Sequence, residues 1–216
     1  MPDIHHFALF LLSGLLLNMT PGADMLFIMS RSAGQGVRAG AMAALGVGAG
    51  CLVHVTAAAV GLSALIAASD LAFSVVKWLG AAYLVWLGLG LLRSKPQTQG
   101  LQGAVTAPVA APLRAVFWQG VLTNVLNPKI VLFFLAFLPQ FVGPSAHGQG
   151  WAFLLLGVVF TVNGTLFNLG VAWVAARARG RMADVGRMRR LAWWVRRLTG
   201  VMFIGLGLRL ALASRA

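Results

Sequence analysis

Residues 4–30 read IHHFALFLLSGLLLNMTPGADMLFIMS, an apolar run that is interrupted near its middle. A helix needs about 20 apolar residues to cross the hydrocarbon of a bilayer, and this run is long enough. Pro21 removes a backbone donor and Gly22 tolerates an unwound backbone, so the helix should break there. Lipid cannot satisfy the peptide groups that a break leaves free, and protein or a wet cavity must cover them. The run therefore predicts a membrane helix that is broken at mid-span.

Five further apolar runs have the length of a membrane span, and they cover about 40–68, 71–92, 115–142, 151–176 and 192–213. The fourth span is also interrupted in its middle, at Pro128. Only 10% of the 216 residues are charged, against about 25% in an ordinary soluble domain, whereas 59% are hydrophobic. We therefore expect an all-α integral membrane protein with six transmembrane helices, of which helices 1 and 4 are broken at mid-span. Residues 1–216 should form a single transmembrane domain.

The basic residues predict the orientation of these spans. Thirteen Lys and Arg residues fall on one side of the predicted membrane and three on the other, with Lys129 left inside it. Because cytoplasmic loops carry the excess of Lys and Arg, both termini should be periplasmic and the Arg-rich 177–197 loop cytoplasmic. We attribute the net charge of +13 to basic cytoplasmic loops, which orient the spans and contact anionic lipid. We therefore expect no nucleic-acid partner.

A weak internal repeat divides the chain into two halves. Gly14-x3-Asn18 precedes Pro21 as Gly120-x3-Asn124 precedes Pro128, and the third and sixth runs share a Gly-rich pattern. Repeat 1 covers about 1–92, a Pro-rich cytoplasmic loop about 93–114, and repeat 2 about 115–216. Because each repeat would contain three helices, an odd number, the two repeats must cross the membrane in opposite senses. Inverted repeats with interrupted helices at matching positions are typical of secondary transporters.

The first break contains Asp24, the only acid that lies well inside a predicted span. An ionisable group in hydrocarbon costs several kcal/mol and indicates a functional site. Asp24 is a candidate both for binding a substrate ammonium and for coupling to protons. The structural alternatives are an ion pair with Lys129, or an N-cap for the half-helix that follows the break.

The second break offers the complementary charge. Asn127 can cap the half-helix that Pro128 opens, the freed amides at such a helix start attract a carboxylate, and Lys129 adds a positive charge. An amino acid carries both an ammonium and a carboxylate, so the two breaks together suit a zwitterion. The candidate substrate-binding residues are Asn18, Thr20, Pro21, Gly22, Asp24, Asn124, Asn127, Pro128 and Lys129.

Other polar residues lie within the spans. His54 is a second proton-coupling candidate, although a hydrogen bond to a neighbouring helix is the favoured interpretation. Asn163 and Asn168 are interpreted as interhelical contacts, and Gly46-x3-Gly50 as a close helix crossing. The single Cys51 excludes a disulfide within the chain, and we expect neither a metal site nor a cofactor.

The two breaks carry a resemblance to a known family. Asn18-x-Thr20-Pro21-Gly22-x-Asp24, Asn124-x2-Asn127-Pro128-Lys129 and the later Pro139-Gln140-Phe141 resemble the lysine exporter (LysE) and homoserine/threonine exporter (RhtB) superfamily over nearly the whole chain. Ala23 departs from the family, which often has a second Pro there. The resemblance implies a bacterial inner-membrane carrier that exports amino acids and their derivatives, driven by the proton gradient. It also implies functional roles for Asn18, Pro21, Gly22, Asp24, Asn127, Pro128 and Lys129.

The sequence therefore predicts a secondary transporter that exports neutral, threonine- or homoserine-like amino acids by proton antiport with alternating access. One alternative is an exporter of metal cations or other small metabolites from the same superfamily, although only Asp24 and His54 could serve as intramembrane metal ligands. An intramembrane enzyme is disfavoured because Ser13 and Ser63 have no acid–base partner motif. The oligomeric state, including assembly of several copies of the chain, stays open.

Overall fold

The computed structural model describes residues 6–62, 70–93, 110–142, 149–177 and 185–212. Every regular element within these ranges is helical. The helices are α1 Phe7–Met19, α2 Ala23–Gln35, α3 Val37–Ala57, α4 Asp70–Arg93, α5 Leu113–Val125, α6 Pro128–Phe137, α7 Gln149–Arg177 and α8 Val185–Leu212. A π-helical turn, Ala58–Leu62, continues α3, and a 3-10 turn, Leu138–Phe141, continues α6.

Both predicted breaks are bends between consecutive helices. Phe7–Met19 meets Ala23–Gln35 at 55°, and Leu113–Val125 meets Pro128–Phe141 at 50°. Each bent pair has the length and composition of one broken span, and Val37–Gly61 and Gln149–Arg177 can each cross a bilayer unbroken. The described residues thus contain two clear spans, or four when each bent pair counts as one. The third and sixth predicted spans correspond to the helices α4 and α8, and their crossing of the membrane stays a prediction.

The boundaries differ from the sequence prediction in one region. The sequence predicts an Arg-rich loop over 177–197, but α7 extends to Arg177 and α8 begins at Val185. Arg is a strong helix former, so a charged stretch can continue a helix beyond the apolar part of the span. Residues 178–184 lie outside the described residues. Residues 94–109, which form most of the predicted Pro-rich loop, and residues 143–148, between the fourth and fifth predicted spans, also lie outside the described residues.

The helices approach one another through glycines. A methyl group on Gly46 of α3 would overlap the carbonyl oxygen of Phe117 on α5, and one on Gly50 would lie 2.7 Å from the carbonyl oxygen of Val121. These distances confirm that Gly46-x3-Gly50 is a close crossing. Gly88 of α4 and Gly200 of α8 face each other in the same way: a methyl group on Gly88 would lie 2.6 Å from the carbonyl oxygen of Gly200, and one on Gly200 would lie 2.8 Å from that of Gly88.

The two bent spans run antiparallel to each other. Near the start of α1, the ring of Phe10 packs against Phe137 and Phe141 at the end of the second bent span, with centroids 5.7 and 5.4 Å apart. At the opposite end, Arg31 of α2 donates a 2.7 Å hydrogen bond to Gln119 of α5. Many large apolar side chains face outward, among them Trp86 and Trp151, which are 69% and 74% exposed. Such a surface suits lipid rather than water.

Candidate functional site

The first break is a short extended segment between α1 and α2. Thr20 and Gly22 have extended backbone dihedrals, and the Thr20 hydroxyl donates to the carbonyl oxygen of Leu16 at 2.9 Å. Gly22 is the N-cap of α2, which has no side-chain cap, and Asp24 lies in the first turn of the helix. The alternative in which Asp24 caps α2 is therefore wrong.

The second break is capped as the sequence predicts. The Oδ1 atom of Asn127 accepts a 3.1 Å hydrogen bond from the backbone N–H of Lys129, and Pro128 occupies the first turn of α6. Asn127 thereby satisfies one of the free amides at the start of α6 and leaves its own Nδ2 group available.

The Asp24 carboxylate joins the two breaks. Its Oδ2 atom accepts hydrogen bonds from Asn124 Nδ2 at 2.9 Å and from Asn127 Nδ2 at 3.1 Å. Its Oδ1 atom is buried and has no hydrogen-bond partner among the described residues. Oδ2 of the carboxylate is thus held by hydrogen bonds to both asparagines, whereas Oδ1 is available to bind a ligand.

Lys129 binds the opposite break rather than Asp24. Its ammonium donates to the carbonyl oxygens of Leu17 and Thr20, at 3.3 and 3.2 Å. These carbonyls lie at the C-terminal end of α1, where the helix dipole attracts a cation; the Leu17 carbonyl also accepts from the backbone N–H of Thr20 at 3.1 Å. The ammonium therefore has backbone partners, and the alternative of a direct Lys129–Asp24 ion pair is wrong in this structure.

A cavity of about 30 Å³ lies between the breaks. It has room for about two water molecules, which is less than any amino acid occupies. Its lining contains Asp24, Lys129 and three amide side chains, and it comprises Leu17, Asn18, Thr20, Gly22, Asp24, Met25, Asn127, Lys129, Ile130 and Asn168. Three of the predicted site residues, Pro21, Asn124 and Pro128, lie outside this lining: the prolines bend the spans, and Asn124 acts through Asp24.

His54 lies behind the cavity wall. Its Nε2 atom is 3.0 Å from the carbonyl oxygen of Asn124, and because a carbonyl only accepts, the ring nitrogen is the donor. The expected hydrogen bond to a neighbouring helix is confirmed. His54 reaches the site through Asn124, the residue that also contacts Asp24.

Asn168 lines the cavity, although the sequence interpretation placed it among interhelical contacts. Its side chain makes no hydrogen bond to any residue that the structure describes. One sequence signal could have identified it. Gly164-x3-Asn168 repeats the spacing of Gly14-x3-Asn18 and Gly120-x3-Asn124, in which a glycine precedes a polar side chain by one turn.

Within the described ranges, no group of three or more His, Cys, Asp or Glu side chains is arranged to hold a metal ion. Cys51 is buried and accepts a hydrogen bond from Thr161 at 3.3 Å, in keeping with a packing role.

The sequence of this chain is similar to those of known membrane transport proteins. A family model described as LysE type translocator matches residues 15–214. An uncharacterized membrane protein of Vibrio cholerae is 32% identical over 213 residues, which are 98% of this chain and 99% of the relative. A homoserine/homoserine lactone efflux protein of Salmonella typhi is 31% identical, with 96% of each chain covered. A leucine efflux protein of Salmonella typhimurium is 28% identical over 94% of this chain and 92% of its own. No solved structure matches the chain significantly.

Proposed function

Since the chain belongs to the LysE type translocator family, we propose that it is an amino-acid efflux transporter of the bacterial inner membrane that exchanges its substrate for protons. One observation carries this proposal: a polar cavity with a carboxylate and an ammonium lies where two broken helices meet. Broken helices that meet near the middle of the membrane are the usual binding site of secondary transporters.

The charges around the cavity suit a neutral amino acid. The free Oδ1 of Asp24 can accept the substrate ammonium, whereas the unpartnered Nδ2 of Asn18 and the Lys129 ammonium can donate to the substrate carboxylate. One fixed acid and one fixed base balance a zwitterion and leave no charge for a cationic side chain. The relatives named for leucine and homoserine efflux are named for neutral amino acids as well.

The same geometry supports proton antiport. The substrate ammonium and a proton would compete for the same free oxygen of Asp24, so that binding of one excludes the other. Mutually exclusive binding is the condition that antiport requires. His54, which is linked to Asp24 through Asn124, is the candidate for passing protons to and from the carboxylate.

Contacts that occur twice support two inverted repeats that rock about the site. A methyl group on Gly164 of α7 would lie 3.0 Å from the Asn18 side chain, and one on Gly50 of α3 would lie 2.9 Å from the Asn124 side chain. The first half of each broken span thus packs against a glycine in the middle span of the other half. An exchange of equivalent contacts is what a two-fold relation between repeats would produce. Periplasmic termini and a cytoplasmic 177–197 region follow from the charge count.

Counterflow in proteoliposomes tests the proposal. Vesicles that contain the purified protein are loaded with unlabelled threonine, homoserine or leucine, and exchange with the labelled amino acid is measured with and without a pH gradient. We expect exchange by the wild type, acceleration of net flux by the gradient, and at least a roughly tenfold loss for Asp24→Asn, which removes the charge that binds the ammonium.

Thr56→Ala is the matched control, because this exposed span residue hydrogen-bonds only to the preceding turn of its own helix. Exchange by Asp24→Asn at the rate of Thr56→Ala would contradict the assigned site. Failure of the wild type to move any of these amino acids would contradict the proposed function.

A further inference from the structure

The cavity lining divides into two parts. Nine of its ten residues belong to the two bent spans, and Asn168 of α7 is the tenth. The charged residues Asp24 and Lys129 both lie on the bent spans, so the groups that can hold the ammonium and carboxylate of an amino acid come from there. Asn168 approaches from a third span.

The Asn168 side chain is mostly buried. It is 8% exposed, lines the cavity and makes no side-chain hydrogen bond within the described ranges. The Asn168 amide atoms are not among the fully buried polar atoms that lack a partner, so water in the cavity can reach them. A ligand that displaces this water must therefore pair the amide, or the amide loses its hydrogen bonds. A ligand that offers both a donor and an acceptor can replace the hydrogen bonds of the displaced water.

We propose that Asn168 is a specificity-determining residue that contacts the substrate side chain and favours a side-chain hydroxyl over an aliphatic group. The inference rests on the proposed function. The head group is common to all amino acids and is bound by the bent spans, which leaves Asn168 for the variable part. An amide both donates and accepts, as a hydroxyl does. A leucine side chain would leave the amide unpaired, and a site built to hydrogen-bond a substrate group rejects an analogue that lacks it.

Competition between threonine and leucine tests this inference. Vesicles that contain the wild type, Asn168→Leu or Asn168→Ala exchange labelled threonine in the presence of increasing unlabelled leucine, and then the reverse. The wild type should prefer threonine. Both variants should shift the threonine-to-leucine preference toward leucine by at least about tenfold, because only the hydroxylated substrate loses a hydrogen bond.

Asn163→Leu is the control on the same helix. Asn163 lines a separate groove on α7 with Leu15, Val158 and Leu166, and its variant should keep the wild-type preference. Asn168→Ala tests the same loss with a smaller side chain if Asn168→Leu disturbs folding. Equal loss of threonine and leucine exchange, or an unchanged ratio in a folded variant, overturns the inference. A wild type that moves no amino acid overturns the proposed function instead, and this inference with it.

Discussion

At the scale of single residues, the site depends on how the two oxygens of Asp24 are used. Asn124 and Asn127 donate to Oδ2, which fixes the carboxylate, and Oδ1 has no hydrogen-bond partner among the described residues. Asn124 itself is 2% exposed and does not line the cavity. It is therefore a positioning residue, and its contribution can be separated from substrate contact.

We predict that Asn124→Leu weakens amino-acid exchange without preventing folding. Loss of the hydrogen bond to a buried carboxylate should cost about 1–3 kcal/mol, or roughly tenfold or more in exchange rate. The measurement is counterflow with proteoliposomes of equal protein content. Thr123→Val is the adjacent control, since its hydroxyl bonds only to Gln119 in its own helix. Exchange by Asn124→Leu at the level of Thr123→Val would contradict the positioning role, as would a failure of Asn124→Gln to restore part of the activity.

Part of this site could be predicted from the sequence. Asp24 and Lys129 stand out because charges are expensive inside a span, and the Asn127 cap follows from its position before Pro128. The partners of Lys129 could not be predicted, because an acid and a base at two breaks suggest an ion pair. Only the three-dimensional arrangement brings the Lys129 ammonium to the carbonyls of Leu17 and Thr20. Asn168 was missed because hydropathy does not show which side of α7 meets the cavity.

At the scale of helices, glycines set the distances between the spans. Gly46 of α3 meets Phe117 and Gly120 of α5, so the two backbones are nearly in contact there. Membrane helices associate through such small residues, because lipid removes the usual hydrophobic advantage of packing large side chains.

We predict that Gly46→Ala destabilises the protein, because its new methyl group would overlap the carbonyl oxygen of Phe117. Overpacking of this kind costs about 1–3 kcal/mol. Thermal unfolding in detergent should show a lower Tm than the wild type. A methyl group on Gly170 of α7 meets nothing within 4 Å, so Gly170→Ala should keep or raise the Tm. Equal Tm values for the two variants would contradict this account of the crossing.

The helix boundaries were largely predictable, because each predicted span is an apolar run and each bend lies next to a proline. The start of α8 was not. Hydropathy marks where a helix enters hydrocarbon, whereas the hydrogen-bonded helix continues into the Arg-rich stretch as far as Val185. Composition therefore gives the extent of the membrane segment better than the extent of the helix.

At the scale of the molecule, contacts between the bent spans lie on both sides of the cavity. On one side, Arg31 bonds to Gln119, and Gln35 donates to the carbonyl oxygen of Ala111 at 3.2 Å. On the other side, a cluster of buried phenylalanines fills the space between the spans, and it comprises Phe10, Phe133, Phe134, Phe137, Phe141, Phe153, Phe160 and Phe203. Because the cavity holds only about 30 Å³, the spans must move apart to admit an amino acid.

The sequence predicted the class of molecule more firmly than its full arrangement. Six apolar runs predict six spans, and the positions of glycine and proline predict a repeat. How the two halves are related depends on contacts such as Asn18 with Gly164, which lie far apart along the chain and leave no local pattern. The inverted arrangement therefore stays a proposal that the repeated contacts support.

The position of Lys129 also has a consequence for which ions the protein needs. Carbonyls at the end of a broken helix are ligands for sodium in many secondary transporters. Here the ammonium of Lys129 binds the carbonyls of Leu17 and Thr20, so the chain supplies the cation itself. We therefore expect amino-acid exchange to proceed at the same rate when choline or potassium replaces every sodium ion in the assay buffer. A requirement for sodium would show that Lys129 does not occupy this position during transport.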